Sequence, residues 1–318
     1  MFVLGSLAVG GASLGGFLGG HDWRLDQLAH FRVHYALALL TLTLGLLILR
    51  RRRWAMLPGV LVLVNAALIA PLYVPAAGGR SDASDAMRLL CFNIRYDNPN
   101  HDGVLDYIES SGADAVFLLE VTPAWLKALE AYELREDSSY RVVTVASRPD
   151  AFGIGMLALK MPQPTISVNS ARIVVLSPDT LNLPSIEATI TFKGRAVKVL
   201  ATHPMPPVNR AASSRRDLQL VAAGQWVAAS SEPAVIIGDF NVTPWSSAFR
   251  RLQRDTGMAN SQRGFGYQAT WPTTPGVPLG IPIDHCLHDP ALTTTGRVIG
   301  PNLGSDHRAI FVNLAWSN

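Results

Sequence analysis

A chain of 318 residues has room for one large domain or two smaller ones. Its composition, 48% hydrophobic and only 16% charged, excludes a protein that is water-soluble along its whole length, for which the charged fraction is near ~25%. Seven Arg and four Asp precede Met87, and the 20 basic and 20 acidic residues that follow balance, so the net charge of +3 belongs to the N-terminal part. A neutral C-terminal part weighs against nucleic-acid binding, which rests on clustered Lys and Arg, without excluding it.

Three apolar stretches open the chain, at residues 1–20, 31–49 and 54–74. Each has about the 20 residues that a helix needs to cross a bilayer. The first contains seven glycines, with Gly11, Gly15 and Gly19 four apart. That spacing lets membrane helices approach closely; the competing reading is a flexible segment, because glycine weakens helices. No basic residue precedes the run, so a cleaved secretory signal is the poorer reading. Pro58, Asn65 and Pro71 in the third stretch are tolerable where neighbouring helices satisfy the freed backbone groups. Arg50, Arg51, Arg52 and Arg53 separate the second and third stretches, whereas the first connection holds Arg24 against Asp22 and Asp26. The positive-inside rule then puts the N-terminus and the arginine cluster in the cytoplasm and everything after Val74 outside. Residues 1–75 are therefore expected to form an anchor of three transmembrane helices. Residues 76–86, small and polar, read as a linker, and residues 87–318 as one domain.

Beyond the linker, strands are expected at 88–93, 115–120, 141–146, 155–160, 171–177, 185–192 and 196–201, and in the apolar run that begins at Pro233. Helices are expected at 104–110, 123–132, 209–229 and 247–254. Thr122 and Pro123 make a good helix start, as N-cap and first helical residue. Many strands with intermittent helices suggest two sheets packed face to face. Several of the apolar runs stop on a polar residue: Asn93, Glu120, His203, Asp239 and Asp284. Asp239 and Asn241 are two apart, so on extended backbone they share a face that Phe240 does not. Taken alone, each such end has an ordinary explanation, an Asx turn at Asp239 or a solvent-facing carboxylate at Glu120. An acid at the end of an apolar strand is nevertheless expensive unless something compensates it, and a hard cation would.

The ordered set Asn93, Glu120, His203, Asp239-x-Asn241, Asp284 and Ser305-Asp306-His307 closely resembles the endonuclease/exonuclease/phosphatase superfamily. That group includes DNase I-like nucleases, sphingomyelinases and inositol-polyphosphate phosphatases. The likeness runs from about Met87 to the C-terminus. It implies a DNase I-like four-layer α/β/β/α sandwich, which periodicity alone does not distinguish from other α/β arrangements. It also implies hydrolysis of phosphate esters with Mg²⁺ (or Mn²⁺). By the same resemblance, Glu120 is the principal metal ligand, with Asn93 beside it and Asp306 a further ligand. Asp239 and Asn241 hold the attacking water and a phosphate oxygen, Asp284 orients and charges His307, and His203 contacts phosphate or protonates the leaving group. Whether Asp239 or a histidine takes the water's proton stays open.

Arg95, two residues after Asn93, is expected either to point into the same cleft and clamp a substrate phosphate or to be an ordinary surface arginine. His285 reads as structural, and Arg215, Arg216 and Gln219 as a solvated helix face. Cys91 and Cys286 read as small buried hydrophobes, or as a disulfide if the domain is extracytoplasmic. Residues 204–208 and 271–283 are apolar loops whose prolines either fix loop shape or rim an entrance for a lipid tail.

The expected function is that of a membrane-anchored phosphohydrolase acting on a phosphorylated lipid. The chain resembles bacterial membrane-bound members of the superfamily that handle polyprenyl diphosphates. Its expected place is the bacterial inner membrane, multi-pass, with the catalytic domain extracytoplasmic. The bilayer and a phosphorylated lipid are the expected partners; nucleic acid is a weaker expectation and no protein partner is inferred. The alternatives are an extracytoplasmic DNA or RNA nuclease and a catalytically silent membrane receptor.

Overall fold

A computed structural model describes residues 2–75, 86–161, 163, 165–176, 181–276 and 279–317. The expected linker lies, except for Ala86, outside the described residues.

The N-terminal segment is helical: α1 (Phe2–Gly15), α2 (Trp23–Ala29), α3 (Arg32–Ile48) and α4 (Arg52–Ile69). α1 starts beside Gly45, crosses α4 at Gly10 and Leu61, and ends against Leu28 of α2. Its polar contacts are internal. Asn65 Nδ2 donates to Ser13 Oγ and to Leu61 O, both at 2.8 Å, and Arg32 Nη1 donates to Ser13 O at 2.7 Å. Among the described residues, Arg52–Leu72 is the one continuous helical stretch long and apolar enough to cross a membrane by itself. Phe2–Leu18 qualifies only together with Trp23–Ala29, which turns away by 116°, and Arg32–Ile48 is a shorter apolar helix. Three full spans are thus not shown by length and composition, because α1 and α3 stop at 14 and 17 residues. The expected first connection is itself helical, with Asp22 accepting from Arg24 N at 2.8 Å as the N-cap of α2. The glycine spacing has a different use from the one expected. Gly11 faces open space, while a Cβ on Gly19 would lie 2.8 Å from the Asp26 Cα.

The rest is a sandwich of two mixed sheets. Its strands are β1 (Met87–Asn93), β2 (Ala115–Leu119), β3 (Tyr140–Ala146), β4 (Ile154–Leu159), β5 (Ile166–Val174), β6 (Ser185–Phe192), β7 (Arg195–Ala201), β8 (Ala234–Asp239), β9 (Ala259–Asn260), β10 (Asp284–His288), β11 (Leu292–Ile299) and β12 (Ile310–Trp316). One sheet has the order β11-β12-β1-β2-β4-β3 and the other β5-β6-β7-β8-β10-β9. Strand alternation builds the layers. Leu89 and Cys91 of β1 and Val235 and Ile237 of β8 point into the core between the sheets. Leu90 and Phe92 instead meet α5 (His101–Ser111) and α6 (Pro123–Glu133), and Ile236 meets α7 (Arg210–Ala228) and α8 (Ser247–Thr256). The result is the expected α/β/β/α order. β5 begins earlier than expected and β11 was not expected. Cys91 and Cys286 are buried free thiols, and burial pushes Cys286 up to about 12.

Topology brings the polar strand ends together. β1 and β2 are parallel, as are β7 and β8, so four C-terminal ends lie at one rim. β10 enters antiparallel to β8, and its first residue, Asp284, stands opposite Asp239. A Cβ on Gly238 would sit 1.9 Å from Thr202 O, so only glycine lets the ends of β7 and β8 approach this closely.

Candidate active site

Glu120, His203, Asp239, Asn241, Asp306 and His307 line one cleft of about 340 Å³. Asn93 and Asp284, both buried, lie beneath it. Asn93, expected as a metal ligand, is oriented as a bridge between two carboxylates. Its Nδ2 donates to Glu120 Oε1 at 2.9 Å and to Asp239 Oδ2 at 3.2 Å, while its Oδ1 accepts from Arg95 N at 3.1 Å. Glu120 follows β2 at φ 67°, a left-handed conformation that lifts its carboxylate out of the strand direction. Its Oε2 accepts from Tyr96 N at 2.9 Å.

Asp239 is the hub. Its Oδ1 accepts from Asn241 N at 2.9 Å. Its Oδ2 lies 3.4 Å from His203 Nε2 and 3.5 Å from His307 Nε2. Burial alone would raise its pKa, but His307 and His203 together hold it down at about 2. His307 shows the reverse balance: burial would lower it, yet Asp284, with Oδ2 2.9 Å from Nδ1, and Asp239 raise it to about 10. Burial likewise works against a charged His203, and the Asp239 contact nevertheless raises it above its ordinary value. The Ser305 hydroxyl fixes the His307 turn, donating to Asn93 O at 2.7 Å and accepting from His307 N at 3.0 Å. Two buried atoms here have no partner among the described residues, His203 Nδ1 and Asp284 Oδ1.

Glu120 and Asp306 give the cleft carboxylate oxygens, the donor type a hard divalent cation takes. Each Glu120 oxygen accepts one hydrogen bond from Asn93 or Tyr96, which leaves lone pairs on both. Asp239, Asp284 and His307 also cluster, with potential ligand atoms within 4.8 Å of one another. There, however, both His307 nitrogens already face carboxylates, and an ion would have to displace a ring proton. The residues present therefore fit a cation at Glu120 and Asp306 better.

Arg95 does not join the cleft. It turns at φ 61°, which breaks strand alternation, and its Nη2 donates to Asp97 at 3.0 Å. It lines an adjoining depression with Thr273, Asn302 and Asp306. His285 is structural as expected: Nε2 lies 2.7 Å from Val242 O, the ring packs on Phe240 and Phe249, and burial lowers its pKa to about 3. The expected solvated face of α7 is a correction. Arg216 and Gln219 are buried, Gln219 Oε1 accepting from Met205 N at 2.9 Å and Arg216 pairing with Asp26 at 3.3 Å. The face is covered because α2 lies on it. Sequence reasoning also missed that Gln27 and His30, next to α2's docking carboxylate, line the cleft. The available signal was two acids and two histidines, Asp22, Asp26, His21 and His30, crowded into a ten-residue gap between apolar stretches.

The sequence profile of the Endonuclease/Exonuclease/phosphatase family matches residues 90–307. No curated protein matches the chain. Among solved structures, the chain resembles D. rerio TDP2 complexed with a single-stranded DNA product, with 18% identity and a TM-score of 0.59 over 72% of this chain and 99% of that one. It also resembles the human nocturnin catalytic domain with bound sulfate, at 16% identity and 0.57 over 73% and 95%. A third likeness is to the mannosyl-6-phosphatase Bt3783 of Bacteroides thetaiotaomicron, at 15% and 0.52 over 72% and 100%. At such identities the likeness is one of fold.

Proposed function

The chain belongs to the endonuclease/exonuclease/phosphatase family, and on that premise we propose that it is a membrane-anchored, divalent-metal-dependent phosphohydrolase of phosphorylated lipids. The observation that supports this reading best is the make-up of the cleft wall. Above the polar floor stand Phe152, Pro206, Pro207, Val208, Trp271, Ile281 and Ile283, and on one side Gln27 and His30 from the helical segment. Of these, Val208 and Trp271 remain exposed. An apolar mouth beside apolar helices suits a substrate whose phosphate enters while its tail stays in lipid.

The geometry of the helices supports a spanning bundle of three, two of them short. α1, α3 and α4 run between the same two ends. One end carries the exposed Arg50–Arg53 turn, and the other meets the sandwich, through Gly266 N donating to Leu72 O at 2.7 Å and Trp245 Nε1 to Leu68 O at 3.0 Å. Seventeen helical residues reach ~25 Å, close to the thickness of a bilayer core. Exposed Trp54 and Tyr73 mark the two ends of α4, as interfacial aromatics do. With the arginines cytoplasmic, the cleft faces the opposite, extracytoplasmic side.

In this reading Mg²⁺ or Mn²⁺, held by Glu120 and Asp306 with Asn93 beside them, would supply Lewis-acid neutralisation of a phosphoryl oxygen when bound. Asp239, kept ionised by its two histidines, orients the attacking water as an acceptor. Asn241, bonded through its own N–H to Asp239, keeps its side chain in the cleft beside that water. His307, charged through Asp284, neutralises charge developing on the phosphoryl group. His203, whose protonated form Asp239 favours against burial, would protonate the departing oxygen.

The test is hydrolysis by detergent-purified full-length protein with Mg²⁺ or Mn²⁺, offered polyprenyl diphosphate, phospholipid and plasmid DNA, with Glu120→Ala as control. Release from a lipid substrate that is lost in Glu120→Ala is the expected result. Cleavage of DNA alone would replace this reading with that of a surface-tethered nuclease.

A further inference from the structure

One wall of the cleft is not built by the sandwich. It comes from α2, which is wedged between the end of α1 and the start of α3 and lies across the N-terminal end of α8. Three polar anchors hold it there. Asp26, 2% exposed, accepts from Ser247 N at 2.7 Å, from Ser246 Oγ at 2.9 Å and from Arg216 Nη2 at 3.3 Å. Arg216, 1% exposed, extends its Nη1 to within 3.5 Å of the Asn241 carbonyl. His30 Nδ1 accepts from Thr243 N at 3.3 Å and lies 3.0 Å from Thr243 Oγ1. All three converge on the stretch 241–247, which follows Asp239 and leads into α8.

That stretch needs holding. Asn241 sits at φ 53°, a left-handed conformation that asparagine tolerates better than most residues and that is held here by bonds from both sides. From above, Asn241 N bonds the Asp239 carboxylate and its Nδ2 donates to Pro204 O at 3.0 Å. From below, its carbonyl meets Arg216, whose own placement depends on Asp26 and the neighbouring Asp217. Removing Asp26 leaves this deeply buried guanidinium held by Asp217 alone, 2.7 Å from Nη2 on its own helix, and takes away the carboxylate that ties it to α2.

We propose that Asp26 is a positioning residue for the catalytic centre: it acts through Arg216 and the start of α8 on Asn241, so the N-terminal segment completes the active site instead of only tethering it. The proposal rests on the hydrolytic reading of the cleft. It adds that the sandwich without α2 lacks both a wall of the substrate site and the support for its Asn241 turn. It also gives the close fit at Gly19 a purpose, since a Cβ there would press within 2.6 Å of the Asp26 carboxylate.

The experiment uses full-length protein in detergent with bis(p-nitrophenyl) phosphate and Mg²⁺. It compares wild type, Asp26→Ala, Asp26→Asn, Asn241→Ala and the Asp26→Ala/Asn241→Ala double variant. Asp22→Asn is the control, because it removes the exposed pair with Arg210 while keeping an N-cap for α2. Asp26→Ala is expected to lower kcat on the order of 10²-fold with KM little changed, the scale of a small misplacement at a reacting centre. Asp26→Asn, which keeps an acceptor for Ser247 N, recovers part of the loss, and Asp22→Asn behaves as wild type. In the Asn241→Ala background the Asp26→Ala loss disappears, because the two residues act along one path. An equal loss in both backgrounds, tracking a fall in melting temperature, overturns the proposal and leaves a merely structural role. Amide hydrogen exchange at residues 240–247 decides independently of turnover, including the case in which wild type hydrolyses nothing and the hydrolytic reading itself fails. Faster exchange there in Asp26→Asn supports the coupling, and unchanged protection overturns it.

Discussion

The helical segment and the sandwich solve opposite problems. Among the described residues, nineteen of the thirty large hydrophobic side chains that stand exposed lie before Pro75, in under a quarter of the chain. The sandwich hides its apolar residues between and outside two sheets and gathers polar groups at one rim. The helices turn leucines outward and bury their few polar groups, Ser13, Asn65 and Arg32, against one another. A protein folded in water gains from the first arrangement and a helix bundle in lipid from the second. The same substitution should therefore have different consequences in the two regions.

The largest expected effect is confined to the rim. Asp239→Ala removes the acceptor shared by His203, His307, Asn93 and Asn241, and should lower kcat by about 10³-fold, within the range for a lost acid–base group. Membrane retention should be unchanged. Steady-state hydrolysis and membrane fractionation of the same preparation check both halves. If activity and retention fall together, the two regions are one cooperative unit and the contrast fails.

A charge placed on an exposed leucine sharpens the contrast at smaller scale. Leu63, 70% exposed in the middle of α4, should tolerate arginine poorly, at a cost of ~3 kcal/mol if it faces lipid. Leu134, 84% exposed after α6, should accept arginine within ~0.5 kcal/mol, as ordinary surface positions do. Membrane integration of Leu63→Arg and thermal unfolding of Leu134→Arg measure the two. Equal tolerance would mean that α4 does not sit in lipid.

The sandwich was legible because its chemistry is local. Asn93, Glu120, His203 and Asp239 each end an apolar run, and parallel pairing of β1 with β2 and of β7 with β8 brings such ends to one rim whatever the loop lengths. Of the two readings open for Arg95, the one that points it into the cleft does not hold, because alternation stops at the end of β1, where a left-handed residue redirects the chain. Arg216 and Gln219 read as solvated in the sequence because a helix covered on two faces, by a sheet and by α2, shows no single apolar stripe. In the sequence Asp26 shows only as a charge in a short connection. Its partners Arg216, Ser246 and Ser247 are about 190 to 221 residues away, and no local pattern encodes a contact of that range.

The finest comparison is between two buried histidines, His307 of the sandwich rim and His30 of the helical segment, whose environments push in opposite directions. Asp284 and Asp239 raise His307 to about 10 against the effect of burial. Its folded pKa lies above the ordinary ~6.5, so its contribution to stability is fully present below that value and is lost as pH rises through about 10. Burial lowers His30 to about 4, with Asp26 opposing and Arg216 assisting. Its contribution is therefore present above ~6.5 and is lost as pH falls through about 4. Protonating His30 removes the acceptor that Nδ1 offers to Thr243 N, so acid should loosen α2 first, while the rim stays intact. Melting temperature against pH should then fall on both sides of neutral. His30→Gln should make the acid side shallower and leave the alkaline side unchanged, and His307→Gln should make the alkaline side shallower. If His30→Gln flattened both limbs, α2 and the rim would titrate as a single unit.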